Sequence, residues 1–123
     1  MKILLLSDDR LRVQGGAGPL SVEADSAEMT YSPGHMLASS LAVCTYSVLH
    51  SWATNADLPA DDLAVEVGYG YVEKPHRIGT MEVSLVWPSL PEERREAARR
   101  AAGLCTIHRT LHAPPQITTV VAG

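Results

Sequence analysis

The chain opens with short apolar runs, and hydrophobic and polar positions alternate with a period of two after residue 62. Short apolar runs bounded by turn-forming residues lie at residues 3–6, 11–13 and 20–24. They predict an N-terminal β meander. Two longer alternating runs, at residues 63–71 and 81–87, flank a short polar link at residues 73–77 and predict a β-hairpin.

Between these two regions the apolar period lengthens to about 3.6 residues, which is typical of a helix. Ser32 is a suitable N-cap and Pro33 suits the first helical position, so we predict a long helix from there to about Ala56. The apolar stripe expected to face the core consists of Leu37, Leu41, Cys44, Val48 and Trp52.

The last third of the chain predicts two further helices and a closing strand. Residues 89–92, Ser-Leu-Pro-Glu, have the pattern of a capping box, and Gly103 stops the helix that they begin. Residues 104–112 predict a short third helix, and residues 117–121 a final strand. Because strands and helices are segregated rather than strictly alternating, the predicted fold class is α+β, in a single domain over residues 1–123.

Composition narrows the classes of partner. The chain has 123 residues and a formal net charge of −4, from 14 acidic and 10 basic side chains. Such a chain is not attracted to phosphate backbones or anionic membranes, so we expect neither nucleic acid nor membrane as a partner. The apolar run at residues 3–6 is too short for a signal or membrane-spanning segment, which favours a cytoplasmic location.

Two cysteines are the side chains best suited to carry chemistry. Cys105 follows Gly103 and is expected near the N-terminus of the third helix, where free amide groups and the helix dipole favour a thiolate. Arg109, one turn later, would add positive charge. Cys44 lies in the middle of the long helix, where burial disfavours the thiolate unless a cation is supplied. The alternative interpretation is that both cysteines are ordinary buried side chains.

Two segments resemble motifs of the OsmC/Ohr family. Residues 32–45, SPGHMLASSLAVCT, resemble its central-helix motif, in which Pro begins the helix and Cys follows about three turns later. Residues 104–111, LCTIHRTL, resemble its second signature, a Cys that opens a short helix. Because the order of the motifs, their separation and the element pattern also agree, the resemblance covers nearly the whole chain.

The resemblance implies an intertwined homodimer that acts as a thiol peroxidase on organic hydroperoxides, without a metal or organic cofactor. Cys44 would attack the peroxide and become a sulfenic acid, and Cys105 would condense with it to a disulfide. An external dithiol, often a lipoyl protein in this family, would then reduce the disulfide.

Active members of the family also carry an Arg that stabilises the thiolate and a Glu that orients this Arg. Arg10, in the turn after the first predicted strand, is the best match for the Arg, with Arg12 as the reserve. The Glu is replaced by Gly34, which is followed by His35. The chain therefore resembles a branch of the family that lacks the Glu.

Two other functions are compatible with the sequence. Cys105, His108 and His112 have the spacing C-x2-H-x3-H, and His35 or Cys44 would complete a four-ligand metal site.

The other is a non-enzymatic OsmC-like domain that binds a small apolar or electrophilic ligand at the dimer interface. The pocket would be lined by Met29, Met36, Tyr46 and Trp52.

Overall fold

The computed structural model describes residues 1–15 and 32–123, together with the backbone of residues 21–23. The elements in chain order are β1 (Lys2–Ser7), β2 (Arg10–Gln14), β3 (Ser21–Glu23), α1 (Pro33–Asn55), β4 (Ala64–Val72), β5 (Arg77–Val86), a 3-10 turn (Glu92–Arg94), α2 (Arg95–Ala102) and α3 (Thr106–His112). Mixed α+β architecture was predicted and is confirmed.

The strands form one sheet with the order β3-β1-β2-β4-β5. The pairs β1–β2, β2–β4 and β4–β5 are antiparallel, and the predicted hairpin of β4 and β5 is confirmed. The predicted N-terminal meander is wrong, because β3 pairs in parallel with β1 instead of antiparallel with β2. Strand β2 pairs with β1 on one side and with β4 on the other. Strand β3 therefore pairs with the outer edge of β1.

Helix α1 begins as predicted. The Ser32 side chain accepts a hydrogen bond from the backbone N–H of His35 at 3.2 Å, and Pro33 occupies the first turn, where its missing N–H has no cost. The helix ends at Asn55, with Ala56 as its C-cap. The sequence therefore located both ends of this element to within a residue.

The face of α1 that packs on the sheet differs from the predicted stripe. Its fully buried row consists of Ala38, Ala42, Thr45, Leu49 and Ala53, each with 1% exposure or less. Of the predicted stripe Leu41 is buried, Leu37 is 36% exposed, and Cys44, Val48 and Trp52 are half-buried. Small side chains allow the helix to lie close to the sheet, so the larger apolar side chains occupy the flank of the helix.

The core fills the space between α1 and the inner face of the sheet. Leu11 and Val13 of β2 and Val65 and Val67 of β4 are completely buried there. Removing such a side chain from water stabilises the fold by roughly 1.5–3 kcal/mol. Residues between them in each strand point to the opposite, outer face, because successive side chains alternate.

The capping box predicted before α2 is not formed. The hydroxyl of Ser89 donates to Asp62 Oδ1 at 2.6 Å, and its backbone N–H donates to Asp62 Oδ2 at 2.7 Å. Ser89 therefore ties the segment before α2 to the loop before β4, and the helix is entered through a 3-10 turn after Pro91 without a side-chain cap.

The short helix α3 is confirmed, but the closing strand predicted at residues 117–121 is wrong. This fully described segment forms no strand, and Ile117 and Val121 are 84% and 94% exposed. A strand needs a neighbour to pair its backbone N–H and C=O groups, and this segment pairs with none in the described parts of the chain.

The parts of the chain that the structure describes contain no helix with the length and apolarity needed to cross a membrane.

Candidate thiol site

The structure brings the two cysteines together. Cys44 lies on the flank of α1 and Cys105 lies directly before α3, and the two thiols are within hydrogen-bonding reach of each other. Both are free thiols. Cys105 is completely buried, whereas Cys44 is half-buried. We refer to these two residues as the thiol pair; Cys44 is the more exposed of the two.

Local sequence explains the position of Cys105. Helix α2 ends at Gly103, and the chain turns so that Cys105 becomes the N-cap of α3. Its Sγ accepts a hydrogen bond from the backbone N–H of His108 at 3.4 Å. The predicted location of this cysteine at a helix start is confirmed.

The expectation that this location favours a thiolate at Cys105 is wrong. Burial raises the pKa of the Cys105 thiol, and the hydrogen bond with Cys44 raises it further. The backbone N–H groups of His108 and Ile107 lower it by less. Arg109 is exposed, so water screens its charge. Desolvation therefore determines the direction in which the pKa of Cys105 shifts.

Arg10 does not lie beside the thiol pair within one chain. Its neighbour Leu11 points inward to α1, so Arg10 projects from the outer face of the sheet. There its guanidinium nitrogens lie 3.6 Å from Glu66 Oε2 and 3.7 Å from Glu82 Oε1. Arg12 is on the same face, and its Nε donates to Glu66 Oε1 at 2.8 Å. Both arginines named from the sequence are thus neutralised by carboxylates on the side opposite α1.

Two tyrosines that the sequence analysis did not single out crowd Gly34, the position where the resemblance implies a Glu. A Cβ at Gly34 would lie 2.9 Å from the hydroxyl oxygens of both Tyr69 and Tyr71. The Tyr69 hydroxyl donates to the backbone oxygen of Asp8 at 3.0 Å. The sequence did contain a signal for them. Tyr69 and Tyr71 alternate with Gly68 and Gly70, and this pattern places both tyrosines on one face of the strand.

His35 is buried at the same end of α1. Its Nδ1 lies 3.2 Å from Ser32 Oγ and its Nε2 lies 3.1 Å from the backbone oxygen of Ser7. Its ring also meets that of Tyr69 edge to face, with 6.0 Å between centroids. These contacts fasten the β1–β2 turn to the helix start, and they occupy both ring nitrogens of His35.

A cleft of about 360 Å³ opens between the first half of α1, β5 and α3, and we refer to it as the α1–α3 cleft. Its walls include Leu37 and Leu41 of α1, and His108 and His112 stand on its α3 side. An adjoining cleft of about 310 Å³ shares Val83 and His108 with it and extends to Thr45, Gly103 and Arg100. Leu41 in the wall of the first cleft and Thr45 in the wall of the second flank Cys44 in the sequence of α1, and neither Cys44 nor Cys105 is itself a wall residue of either cleft.

The predicted ligand-pocket residues do not line the α1–α3 cleft. Trp52 packs edge to face against Trp87, and Tyr46 stacks on His50. Met36 is 51% exposed and is absent from the cleft walls. Met29 lies outside the described residues.

The alternative of a metal site is not supported. Among the described residues, no three His, Cys, Asp or Glu side chains converge in a way that would hold a metal ion. His108 and His112 instead stack on each other, with ring centroids 4.7 Å apart.

Comparison with known proteins agrees with the resemblance seen in the two motifs. A family model described as OsmC-like protein matches residues 25–120. A crystal structure provisionally described as an osmotic stress induced and detoxification response protein of Psychrobacter arcticus 273-4 superposes with a TM-score of 0.62 at 19% identity. The match covers 68% of this chain and 62% of that protein, which is less than two thirds of its length. No match was found among curated proteins.

Proposed function

The chain belongs to the OsmC-like family, and from this premise we propose that it is a thiol-dependent peroxidase that reduces organic hydroperoxides. The observation that carries the proposal is the unequal thiol pair. Cys44 is half-buried, whereas Cys105 is completely buried and burial raises the pKa of its thiol. An attacking thiol has to meet a substrate, while a resolving thiol needs only to meet the attacking one.

In the proposed reaction Cys44 is the attacking thiol and Cys105 is the resolving thiol. The Cys44 thiolate attacks the terminal oxygen of the hydroperoxide, the O–O bond breaks, and the departing alkoxide takes a proton to become an alcohol. Cys44 is left as a sulfenic acid. The sulfur of Cys105 then attacks the sulfur of Cys44, and water leaves with the Cys105 proton as the disulfide forms. An external dithiol, such as a lipoyl protein, supplies two electrons and two protons to restore both thiols.

The proposal includes a homodimer with the site at the subunit interface and a location in the cytoplasm, where thiols are kept reduced. Arg10 remains in the proposal only as a cation supplied across the dimer, because its own sheet face is opposite α1. Its carboxylate partners would have to release it.

The experiment is a titration of free thiols after one equivalent of cumene hydroperoxide, followed by intact mass. Wild type should lose both thiols within minutes and the mass of two hydrogen atoms, because the thiol pair forms a disulfide. Cys105→Ser should retain a sulfenic acid that dimedone traps. Cys44→Ser should keep its remaining thiol, because Cys105 is buried.

The matched control is hydrogen peroxide at the same concentration, which lacks an organic group and should react more slowly. Arg10→Gln tests the proposed cation and should slow thiol loss without changing the fold. Thiols of the wild type that survive an hour of exposure would contradict the peroxidase proposal. An Arg10→Gln rate equal to that of the wild type would remove Arg10 from the site.

A further inference from the structure

Cys105 has a structural role at the start of α3 in addition to its thiol chemistry. Its Sγ accepts the backbone N–H of His108 at 3.4 Å and so takes the place that a Ser or Asp oxygen holds at other helix N-caps. The same sulfur is within hydrogen-bonding reach of the Cys44 thiol. One atom therefore serves two partners, the amide that begins α3 and the thiol with which it would form a disulfide.

The two helices that carry the thiol pair differ in how firmly the fold holds them. Helix α1 has 23 residues, and ten of them are buried. Helix α3 has seven residues, and none of them is buried. Of its apolar side chains, Ile107 is partly buried against the core, whereas Leu111 is 40% exposed. When the two sulfurs approach each other, α3 is therefore the element that yields.

Disulfide formation gives the Cys105 sulfur a new position. In the reduced chain this sulfur is oriented by the backbone N–H of His108. In a disulfide it is oriented by Cys44, because a bond of about 2 Å and a preferred dihedral angle leave little freedom. Sulfur is a weak hydrogen-bond acceptor, so the covalent bond outweighs the cap. Oxidation therefore costs α3 its side-chain N-cap.

We propose that α3 is a redox-dependent element: oxidation of the thiol pair removes its N-cap and loosens the helix, and reduction restores both. The loosened helix gives the external dithiol access to Cys105, which is completely buried in the reduced chain. This inference rests on the proposed function for the Cys44–Cys105 disulfide, but it does not depend on which oxidant forms that disulfide.

The test is amide hydrogen exchange of the full-length chain, followed residue by residue by NMR before and after oxidation with diamide. Diamide takes two electrons and two protons from the thiol pair and becomes a hydrazine, so no hydroperoxide is needed. Intact mass should show the loss of two hydrogen atoms within one chain. The amides of His108 and Arg109 should then exchange at least about fivefold faster, the effect of losing a helix cap. The amides of α2, which has no side-chain cap, should be unchanged.

Three variants separate the cap from the disulfide. Cys44→Ser keeps the cap and cannot form the disulfide, so diamide should leave its α3 amides unchanged. Cys105→Ser retains an acceptor for the N–H of His108, whereas Cys105→Ala does not. The α3 amides of reduced Cys105→Ala should therefore exchange at least about fivefold faster than those of reduced Cys105→Ser.

The proposal is overturned if the oxidised wild type keeps the slow α3 exchange of the reduced chain. It is also overturned if Cys105→Ala and Cys105→Ser exchange equally, or if diamide forms no disulfide within one chain. Thiols that survive hydroperoxide but are oxidised by diamide, with faster α3 exchange, would contradict only the peroxidase and would support the redox-dependent helix.

Discussion

At the scale of single residues, the environment of Cys105 changes its pKa in the direction opposite to the one expected from its position at a helix start. Cys105 has a helix N-terminus beside it, yet its burial and its contact with Cys44 raise the pKa of its thiol. The local rule concerns partial charges on a few amide groups, whereas desolvation depends on everything packed around the sulfur. Both cysteines could be proposed from sequence as the chemical centre, but their division into a half-buried and a completely buried residue could not.

Gly34 provides a second case at this scale, because the two-motif resemblance implies a Glu at this position and the structure leaves no room for one. Introducing Glu at this position is expected to destabilise the fold by about 1–3 kcal/mol, the usual cost of overpacking. The new Cβ would meet the Tyr69 and Tyr71 hydroxyl oxygens at 2.9 Å. Tyr69 is buried and bonded to Asp8, so it cannot move away freely. Urea denaturation of Gly34→Glu measures this cost.

Met36→Glu is the matched control for that substitution. It adds the same carboxylate to the same first turns of α1, but at a side chain that is 51% exposed. We expect its free energy of unfolding to stay within about 0.5 kcal/mol of wild type. Equal stability of Gly34→Glu and Met36→Glu would contradict the view that the two tyrosines exclude a side chain at position 34.

At the scale of elements, the ends of α1 were predicted more accurately than its buried face. The ends of a helix depend on local chemistry, such as the hydroxyl of Ser32 and the ring of Pro33. These groups can be recognised directly in the sequence. The buried face depends on which side chains allow the sheet to approach. Apolar periodicity emphasises large residues such as Leu37 and Val48, whereas close packing on the sheet selected the alanines between them.

The N-cap itself can be tested. Ser32→Ala should lower the free energy of unfolding by about 1 kcal/mol, because the backbone N–H of His35 loses its acceptor. Thermal and urea unfolding both measure this change. Ser40→Ala is the control, since Ser40 is exposed and bonds only the Leu37 oxygen within the helix. It should be neutral or stabilising by up to roughly 0.5 kcal/mol. A Ser32→Ala chain as stable as Ser40→Ala would remove the N-cap from the account of this helix.

The start of helix α2 shows that a local motif does not always predict the local structure. The residues of a capping box are present, but Ser89 bonds Asp62, which lies more than twenty residues earlier in the chain. A tertiary partner with two carboxylate oxygens satisfied both the hydroxyl and the N–H of Ser89. No pattern within residues 89–92 contains that information.

At the scale of the whole molecule, the C-terminal segment leaves large apolar side chains in water. Ile117, Val120 and Val121 are 79–94% exposed, and β5 is the edge strand of the sheet that the described residues form. Leaving large apolar side chains in water forgoes roughly 1.5–3 kcal/mol for each. This imbalance supports the proposed homodimer, in which a second copy would cover the segment.

The dimer can be tested with point substitutions in that segment. In a chain that is extended on pairing with a second copy, Ile117 and Val121 would share one face, because successive side chains point to opposite faces. Replacing both by Ser should weaken dimerisation at least about a hundredfold, because their apolar surface would no longer be buried. Analytical ultracentrifugation over a range of concentrations measures the change. Thr118→Ser, on the other face, should dimerise like the wild type. A wild-type chain that is monomeric at every concentration would contradict the proposed dimer.

Local sequence patterns were sufficient to predict the α+β class, the two ends of α1, the β4–β5 hairpin and the helix start at Cys105. Each of these depends on interactions among neighbours along the chain. Tertiary structure decided that β3 lies beside β1, that Arg10 pairs with Glu66 on the outer face, and that two tyrosines fill the space at Gly34. It also placed Cys44 beside Cys105. These outcomes depend on which distant surfaces meet, and that is set by packing and desolvation over the whole molecule rather than by the pattern within any one segment.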